Sequence, residues 1–131
     1  MEEIWKDIKE YEGLYQISNL GRVKRLKFIN RHLNFKKERI LKPYKDGGKN
    51  YFIIALYKNG KREYKQIHRL VAETFIPNTN NFPLVNHKDE NKANNYVDNL
   101  EWCTCKYNTN YGTSRLKMSK KRIEYWKNKH L

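Results

Sequence analysis

Residues 84–108 read LVNHKDENKANNYVDNLEWCTCKYN. A short apolar run ends at His87, and a polar loop rich in Asn, Asp and Lys follows it. Residues 100–104 then alternate between apolar and polar side chains, as a β-strand does, and the chain continues into a segment that carries Asn108. This pattern predicts a strand, a loop, a second strand and a helix. Because the polar groups of the loop would need partners inside a core, we expect the loop to line a site.

The polar residues at the two ends of this loop favour metal-assisted hydrolysis. A neutral imidazole such as that of His87 is the side chain best suited to take a proton from water near pH 7. Asn86 and Asn108 each carry a hard amide oxygen of the kind that Mg²⁺ accepts, with water and phosphate oxygens completing the coordination shell. If the two strands pair and the helix packs across them, both amides and the imidazole can face one point.

In type, order and spacing, Asn86-His87, Asn99 and Asn108 resemble the His-Asn-His/Asn signature of the HNH endonucleases of the phage and intron-encoded homing branch. The resemblance implies a ββα-metal fold in which His87 is the general base and Asn99 is the catalytic-site residue that holds the loop and orients the imidazole. It also implies that Asn86 and Asn108 bind a single divalent ion, Mg²⁺ or Mn²⁺. Many members of the family carry Asp where this chain has Asn86. A neutral ligand attracts the ion less strongly, and Asp89, Glu90 or DNA phosphates could supply the missing charge. We therefore expect weak metal affinity without DNA.

A second resemblance lies upstream of this segment. Residues 2–26 contain WKDI, YEG and YQISNLGRV, and residues 68–77 contain HRLVA and FIP. These motifs resemble the small nuclease-associated DNA-binding module that precedes HNH domains in the same branch. The two resemblances together cover nearly all of residues 2–110, and their occurrence in the expected order makes the assignment more specific than a lone His-Asn pair would.

The composition favours a polyanionic partner. The 131 residues carry a formal net charge of +14 and the pI is about 9.8, which favours nucleic acid over its rival, an acidic membrane surface. Aromatic residues make up 14% of the chain, enough for a real core, so global disorder is excluded. The sequence shows no signal-peptide pattern, no membrane-spanning apolar run and no heptads. We therefore expect a monomer in a bacterial cytoplasm, phage-encoded or host-encoded, with double-stranded DNA as its partner and neither a membrane nor a small-molecule cofactor.

The pattern of elements predicts an α+β protein in four segments. They are a small antiparallel β module that binds DNA (1–30), a basic arm and β-hairpin (31–66), the ββα-metal nuclease core of HNH or His-Me finger type (67–110) and a basic C-terminal helix (111–131). Residues 51–57 are apolar on both faces and predict a central strand, and Asn59-Gly60 after them predicts a two-residue hairpin turn. Helical spacing over residues 69–75, ended by Pro77, predicts a helix that packs under the ββα unit.

Ten basic residues are candidates for contacts to DNA: Arg22, Lys24, Arg25, Lys36, Lys37, Arg115, Lys117, Lys120, Lys121 and Arg122. The first three lie on a predicted strand, for which a solvated face is an equally good interpretation. For the two lysines of the arm, a solvated flexible linker is the alternative. The last five lie on a predicted amphipathic helix that could dock on its own domain, contact DNA or do both. The hairpin could support the sheet or enter a groove as a ribbon, and we favour support.

Three functions are consistent with these patterns. A metal-dependent endonuclease of the homing type, which nicks or cuts double-stranded DNA, is favoured. The alternative is a DNA-binding protein with a catalytically degenerate HNH fold, and a weaker one is an RNA-binding protein whose tyrosines stack on bases. We expect His68, just before the predicted helix, to be structural or on the surface rather than at the substrate or metal. Cys103 and Cys105 are expected to be packing thiols.

Overall fold

The computed structural model describes residues 1–111, in which small antiparallel sheets surround a central helix. The strands of the N-terminal part are β1 (Trp5–Asp7), β2 (Tyr15–Ser18), β3 (Val23–Arg25), β4 (Phe28–Ile29), β5 (Phe35–Lys36) and β6 (Arg39–Ile40). Strands β1, β2, β3 and β6 form one sheet in that order, and the side chains of Ile17 in β2 and Val23 in β3 are buried. Strands β4 and β5 form a separate, exposed hairpin. Part of the segment expected to be a basic arm or a flexible linker is thus a β-hairpin. Strand β6 joins another part of that segment to the first sheet.

A second sheet contains the strand that the sequence marks as central. Its strands are β7 (Tyr44–Lys45), β8 (Phe52–Lys58) and β9 (Lys61–Gln66). Their order is β7-β8-β9, so the prediction of a central strand is confirmed. The turn between β8 and β9 has φ of 52° at Asn59 and 75° at Gly60. Asn and Gly tolerate this left-handed conformation, which matches the twist of the two paired strands.

The ββα unit follows in the order that the sequence predicts. Its elements, with the helix before them, are α1 (Ile67–Phe75), β10 (Leu84–His87), β11 (Leu100–Cys103) and α2 (Cys105–Asn110). Helix α1 begins two residues earlier than predicted, so His68 lies in its first turn rather than before it. The hydroxyl of Thr104 caps α2 by accepting from the Tyr107 amide at 3.1 Å. Cys103 is buried as expected, but Cys105 is exposed because it lies in α2 and not on the strand.

One apolar core joins these units. It runs from Ile8 and Ile17 of the first sheet through Leu56 of the second to Val71 of α1 and Leu100 of β11. Helix α1 contacts β2, β8, β9, β10 and β11, so it lies at the centre of the packing. Burial of each such side chain contributes roughly 1.5–3 kcal/mol, and the shared core therefore fixes the N-terminal sheet against the ββα unit.

The C-terminal prediction falls largely beyond the described part of the chain. After Tyr111, the basic helix predicted over residues 111–131 lies outside the described residues, and Arg115, Lys117, Lys120, Lys121 and Arg122 lie there with it. Within residues 1–111, no helix has both the length and the apolar character needed to cross a bilayer.

Candidate active site

The fold brings the three central residues of the predicted site to one cavity. Asn86 and His87 end β10, and Asn108 lies on α2; all three line an open cavity of about 270 Å³. Tyr51, from the strand connection before β8, and Lys92, from the polar loop, also line it. A larger groove of about 830 Å³ lies elsewhere on the surface, and none of the predicted catalytic or metal-binding residues lines it.

His87 is held by a neighbour that the sequence analysis did not select. The residue is 5% exposed, and its Nε2 lies 2.8 Å from Oδ1 of Asn95, which is itself buried. Because an amide oxygen only accepts, Nε2 carries the proton and Nδ1 keeps the lone pair. Burial lowers the pKa of His87, and the hydrogen bond that its ring donates to Asn95 opposes that shift only in part. The imidazole is therefore neutral at neutral pH and can act as a base.

Asn86 is oriented by the strand opposite to it. It pairs in register with Glu101 of β11, and its Nδ2 donates to Oε1 of Glu101 at 3.0 Å. A carboxylate only accepts, so this bond fixes which end of the amide is the donor and leaves Oδ1 as the end able to bind a cation. The same carboxylate oxygen accepts from the Tyr107 hydroxyl at 3.0 Å, which raises the pKa of Tyr107 and ties α2 to both strands.

Asn99 is hydrogen-bonded within the loop and makes no hydrogen bond to the imidazole of His87. Its Nδ2 donates to Asp89 Oδ1 at 2.9 Å and to the Asn94 carbonyl at 2.8 Å, and its Oδ1 accepts from the Asp89 amide at 3.1 Å. The hydrogen bond from Asn94, followed by others within the loop, lowers the pKa of Asp89. The hydrogen bond on the His87 ring is instead the one that Nε2 donates to Asn95.

His68 forms the wall behind the proposed base. Its ring centroid lies 5.0 Å from that of His87 and 4.7 Å from that of Tyr51. The side chain is buried, and burial, followed by the proximity of His87 and Arg69, lowers its pKa to about 3. His68 is therefore a buried, neutral side chain directly beside the site. It does not line the cavity.

Lys92 brings a positive charge to the cavity. Its Nζ donates to the Lys49 carbonyl at 2.6 Å and lies 4.7 Å from the centre of the Tyr51 ring. These contacts hold the ammonium group above the aromatic wall. Nothing in the sequence separates Lys92 from the other lysines of the loop, because its position depends on the approach of the segment before β8.

The five described candidates for DNA contact differ in their surroundings. They are Arg22, Lys24, Arg25, Lys36 and Lys37. Arg22 forms an ion pair with Glu3, and Lys24 lies 4.3 Å from the centre of the Trp5 ring. The Arg25 guanidinium donates to the Lys37 carbonyl at 3.2 Å. Lys36 and Lys37 lie on or beside the exposed β4–β5 hairpin and are exposed, as Arg22 is, whereas Lys24 and Arg25 are half-buried.

Within the described range 1–111, no cluster of three or more His, Cys, Asp or Glu side chains is arranged to hold a metal ion. The amide oxygens of Asn86 and Asn108 line the same cavity as Glu90, and the two amides are the ligands that the site offers from β10 and α2. Such ligands suit a hard cation that keeps part of its shell of water and phosphate oxygens, and they do not suit zinc.

Comparisons with known proteins identify both halves of the chain. The NUMOD4 motif matches residues 3–57. The DNA endonuclease I-HmuI of Bacillus phage SP01 is 43% identical over 113 residues, which are 85% of this chain and 58% of that protein. The uncharacterized HNH endonuclease L245 of Acanthamoeba polyphaga mimivirus is 39% identical over 107 residues, 82% of this chain and 29% of the relative. The chain thus spans less than two thirds of the length of these relatives.

A solved structure is similar to nearly the whole of this chain. The structure described as DNA binding and cleavage by the HNH homing endonuclease I-HmuI superposes with a TM-score of 0.68 at 37% sequence identity. The match covers 98% of this chain and 68% of the solved one. The similarity therefore extends over both the N-terminal sheet and the ββα unit.

Proposed function

Because the chain belongs to the HNH homing endonuclease family, we propose that it hydrolyses phosphodiester bonds of double-stranded DNA at the cavity around His87. The observation that carries this proposal is the convergence of Asn86, His87 and Asn108 on one cavity from two separate elements of the ββα unit. The imidazole there is buried, held by a hydrogen bond and neutral at neutral pH. Those are the properties that a general base requires.

In the proposed reaction, Nδ1 of His87 takes a proton from a water molecule that attacks the scissile phosphorus. The new bond joins the water oxygen to phosphorus, and the bond from phosphorus to the 3′ oxygen breaks. Asn95 holds the ring in the tautomer that leaves Nδ1 able to accept this proton. Base catalysis of this kind contributes about 10²–10⁴-fold to a rate.

We propose that Asn86 and Asn108 bind a single divalent cation, Mg²⁺ or Mn²⁺. The residues present fit such an ion, because Glu101 fixes the amide of Asn86 with its oxygen available as a ligand. When bound, the ion would neutralise charge on the phosphate and on the leaving oxygen. Two neutral ligands attract a cation weakly, so DNA phosphates are expected to supply part of the coordination shell.

Double-stranded DNA is the partner that the charge of the molecule supports best. The formal net charge is +14. Lys36 and Lys37 are exposed on and beside the β4–β5 hairpin, and Lys92 brings a further cation to the cavity itself. Contacts from the C-terminal basic residues 115–122 and a monomeric state remain predictions of the same proposal.

The test is cleavage of phage and host genomic DNA with Mg²⁺, with Mn²⁺ or with EDTA, followed by mapping of the ends. We expect cleavage at a small number of positions that requires the metal and is abolished by EDTA. Binding that weakens with salt but is never followed by cleavage with any divalent ion would reject the proposal and favour a degenerate, DNA-binding HNH fold. Equal competition by duplex RNA would favour the RNA-binding alternative.

A further inference from the structure

We propose that the N-terminal sheet is part of the catalytic centre, because its β2–β3 turn positions Asn95, which in turn sets the tautomer of His87. Asn95 is on this view a positioning residue, and Gly21 is the residue of the turn that permits the contact. The inference rests on the proposed function only in taking His87 as the general base. It assigns to the N-terminal sheet a role in catalysis that is separate from any contact with DNA.

The first observation is the close approach of the turn to Asn95. Gly21 has a φ of +80°, a conformation that side chains other than glycine rarely adopt. A Cβ atom built at Gly21 would lie 2.7 Å from Cβ and 2.9 Å from the carbonyl oxygen of Asn95. Both distances are too short for any residue larger than glycine. The backbone of the turn therefore forms the surface against which Asn95 packs.

The second observation is a hydrogen bond between the same two segments. The amide of Val97 donates to the carbonyl oxygen of Asn19 at 2.8 Å. The side chain of Asn19 is buried and fixes the turn to the start of the chain, since it accepts from the Ile4 amide at 2.7 Å and donates to the Glu2 carbonyl at 3.0 Å. The turn is thus tied to the N-terminal residues and is also joined to the chain two residues after Asn95, at Val97.

The third observation is what Asn95 does with its side chain. It is 6% exposed, and its Oδ1 accepts from Nε2 of His87 at 2.8 Å. A neutral imidazole can carry its proton on either nitrogen, and only an acceptor at Nε2 keeps Nδ1 as the base. A displaced Asn95 would allow the other tautomer and a rotated ring. Since base catalysis contributes about 10²–10⁴-fold, we expect a rate loss of roughly 10-fold or more.

The chain offers a matched control for a test of this contact. Gly13 also has a left-handed backbone, with a φ of +77°, but a Cβ atom there would meet no heavy atom within 4 Å. Gly21→Ala and Gly13→Ala therefore impose similar backbone strain, and only the first presses on Asn95. Asn95→Ala removes the acceptor without adding bulk, and Asn95→Asp retains an oxygen at the same place.

The first readout is the tautomer of His87 in protein free of metal and DNA. It is obtained from long-range ¹⁵N–¹H spectra recorded at pH 9. The signal of His87 is the one that is lost in His87→Ala. We expect the Nε2–H form in the wild type, in Gly13→Ala and in Asn95→Asp. We expect a mixture of forms in Gly21→Ala and Asn95→Ala. The second readout is the single-turnover cleavage rate, which should fall at least 10-fold in the last two variants while their affinity for DNA stays within about 2-fold of the wild type.

A wild-type ring in the Nδ1–H form would overturn the inference. So would Gly21→Ala and Asn95→Ala proteins that keep the Nε2–H form and the cleavage rate of the Gly13→Ala control. If Gly21→Ala does not fold, as judged by circular dichroism, Asn95→Ala alone decides between these outcomes. A wild type that shows the expected tautomers but cleaves no DNA with any divalent ion would reject the proposed function and leave the positioning contact supported.

Discussion

Replacement of His68 by Phe should make the stability of this protein less sensitive to acid. The imidazole of His68 is buried against the rings of both Tyr51 and His87, at centroid distances of 4.7 and 5.0 Å. Burial, followed by the proximity of His87 and Arg69, lowers its pKa from 6.5 to about 3. Phenylalanine keeps a ring against the same two neighbours and cannot take up a proton.

The size of the effect follows from the two pKa values. Because the folded state binds the proton less tightly than the unfolded state, His68 does not weaken the fold above pH 6.5. As the pH falls from 6.5 towards 3, the unfolded state is protonated first and stability is lost. At pH 5 this histidine is protonated in nearly all unfolded molecules and in almost no folded ones. The difference lowers the free energy of unfolding by about 2 kcal/mol.

The assay is urea unfolding of both proteins at pH 7.5 and at pH 5.0 in EDTA. The free energy of unfolding of the wild type should fall by about 2 kcal/mol more than that of His68→Phe between these pH values. His32→Gln, which changes an exposed histidine next to the tip of the β4–β5 hairpin, should behave as the wild type does. Equal losses in the wild type and in His68→Phe would refute the placement of His68 as a buried, neutral wall of the site.

Two further changes test the metal ligand and the DNA contacts. In EDTA, Asn86→Asp should lower the free energy of unfolding by about 1–3 kcal/mol, because two carboxylates would face each other where an amide now donates to Glu101 at 3.0 Å. Addition of Glu101→Gln to the Asn86→Asp variant should recover most of that loss. If the effects of the two substitutions on the free energy of unfolding in urea are simply additive, the contact between residues 86 and 101 is not the cause. Lys36→Ala should make the slope of log K against log salt shallower by about 0.9. Arg22→Ala should change that slope little, because Arg22 is already paired with Glu3, and equal changes in the two variants would contradict this difference.

Local sequence signals predicted the elements of the fold because those elements depend on nearby residues. The apolar run of β8 and the Asn59-Gly60 turn specify a central strand and its hairpin without reference to the rest of the chain. The order strand, loop, strand, helix around His87 was predicted in the same way and is confirmed. The start of α1 was misplaced by two residues, because neither Gln66 nor its neighbours provide a side-chain cap that would mark it.

The residues that support the site could not be predicted in this way. Asn95 is one of several asparagines in the loop, and only the docking of the β2–β3 turn places it on His87. Glu101 meets Asn86 through the register of two strands separated by a long loop, whose length does not determine that register. His68 reaches the site because α1 packs beneath it. Each of these contacts arises from tertiary packing rather than from a local pattern.

The measurement that bears most directly on the proposed mechanism is the single-turnover rate of DNA cleavage by His87→Ala at saturating protein and saturating Mg²⁺ or Mn²⁺. We predict a loss of about 10²–10⁴-fold with DNA affinity unchanged, while His32→Ala, at an exposed position away from the cavity, retains the wild-type rate. A His87→Ala protein that cleaves within threefold of the wild-type rate (~0.6 kcal/mol in barrier height) would contradict the assignment of this imidazole as the general base.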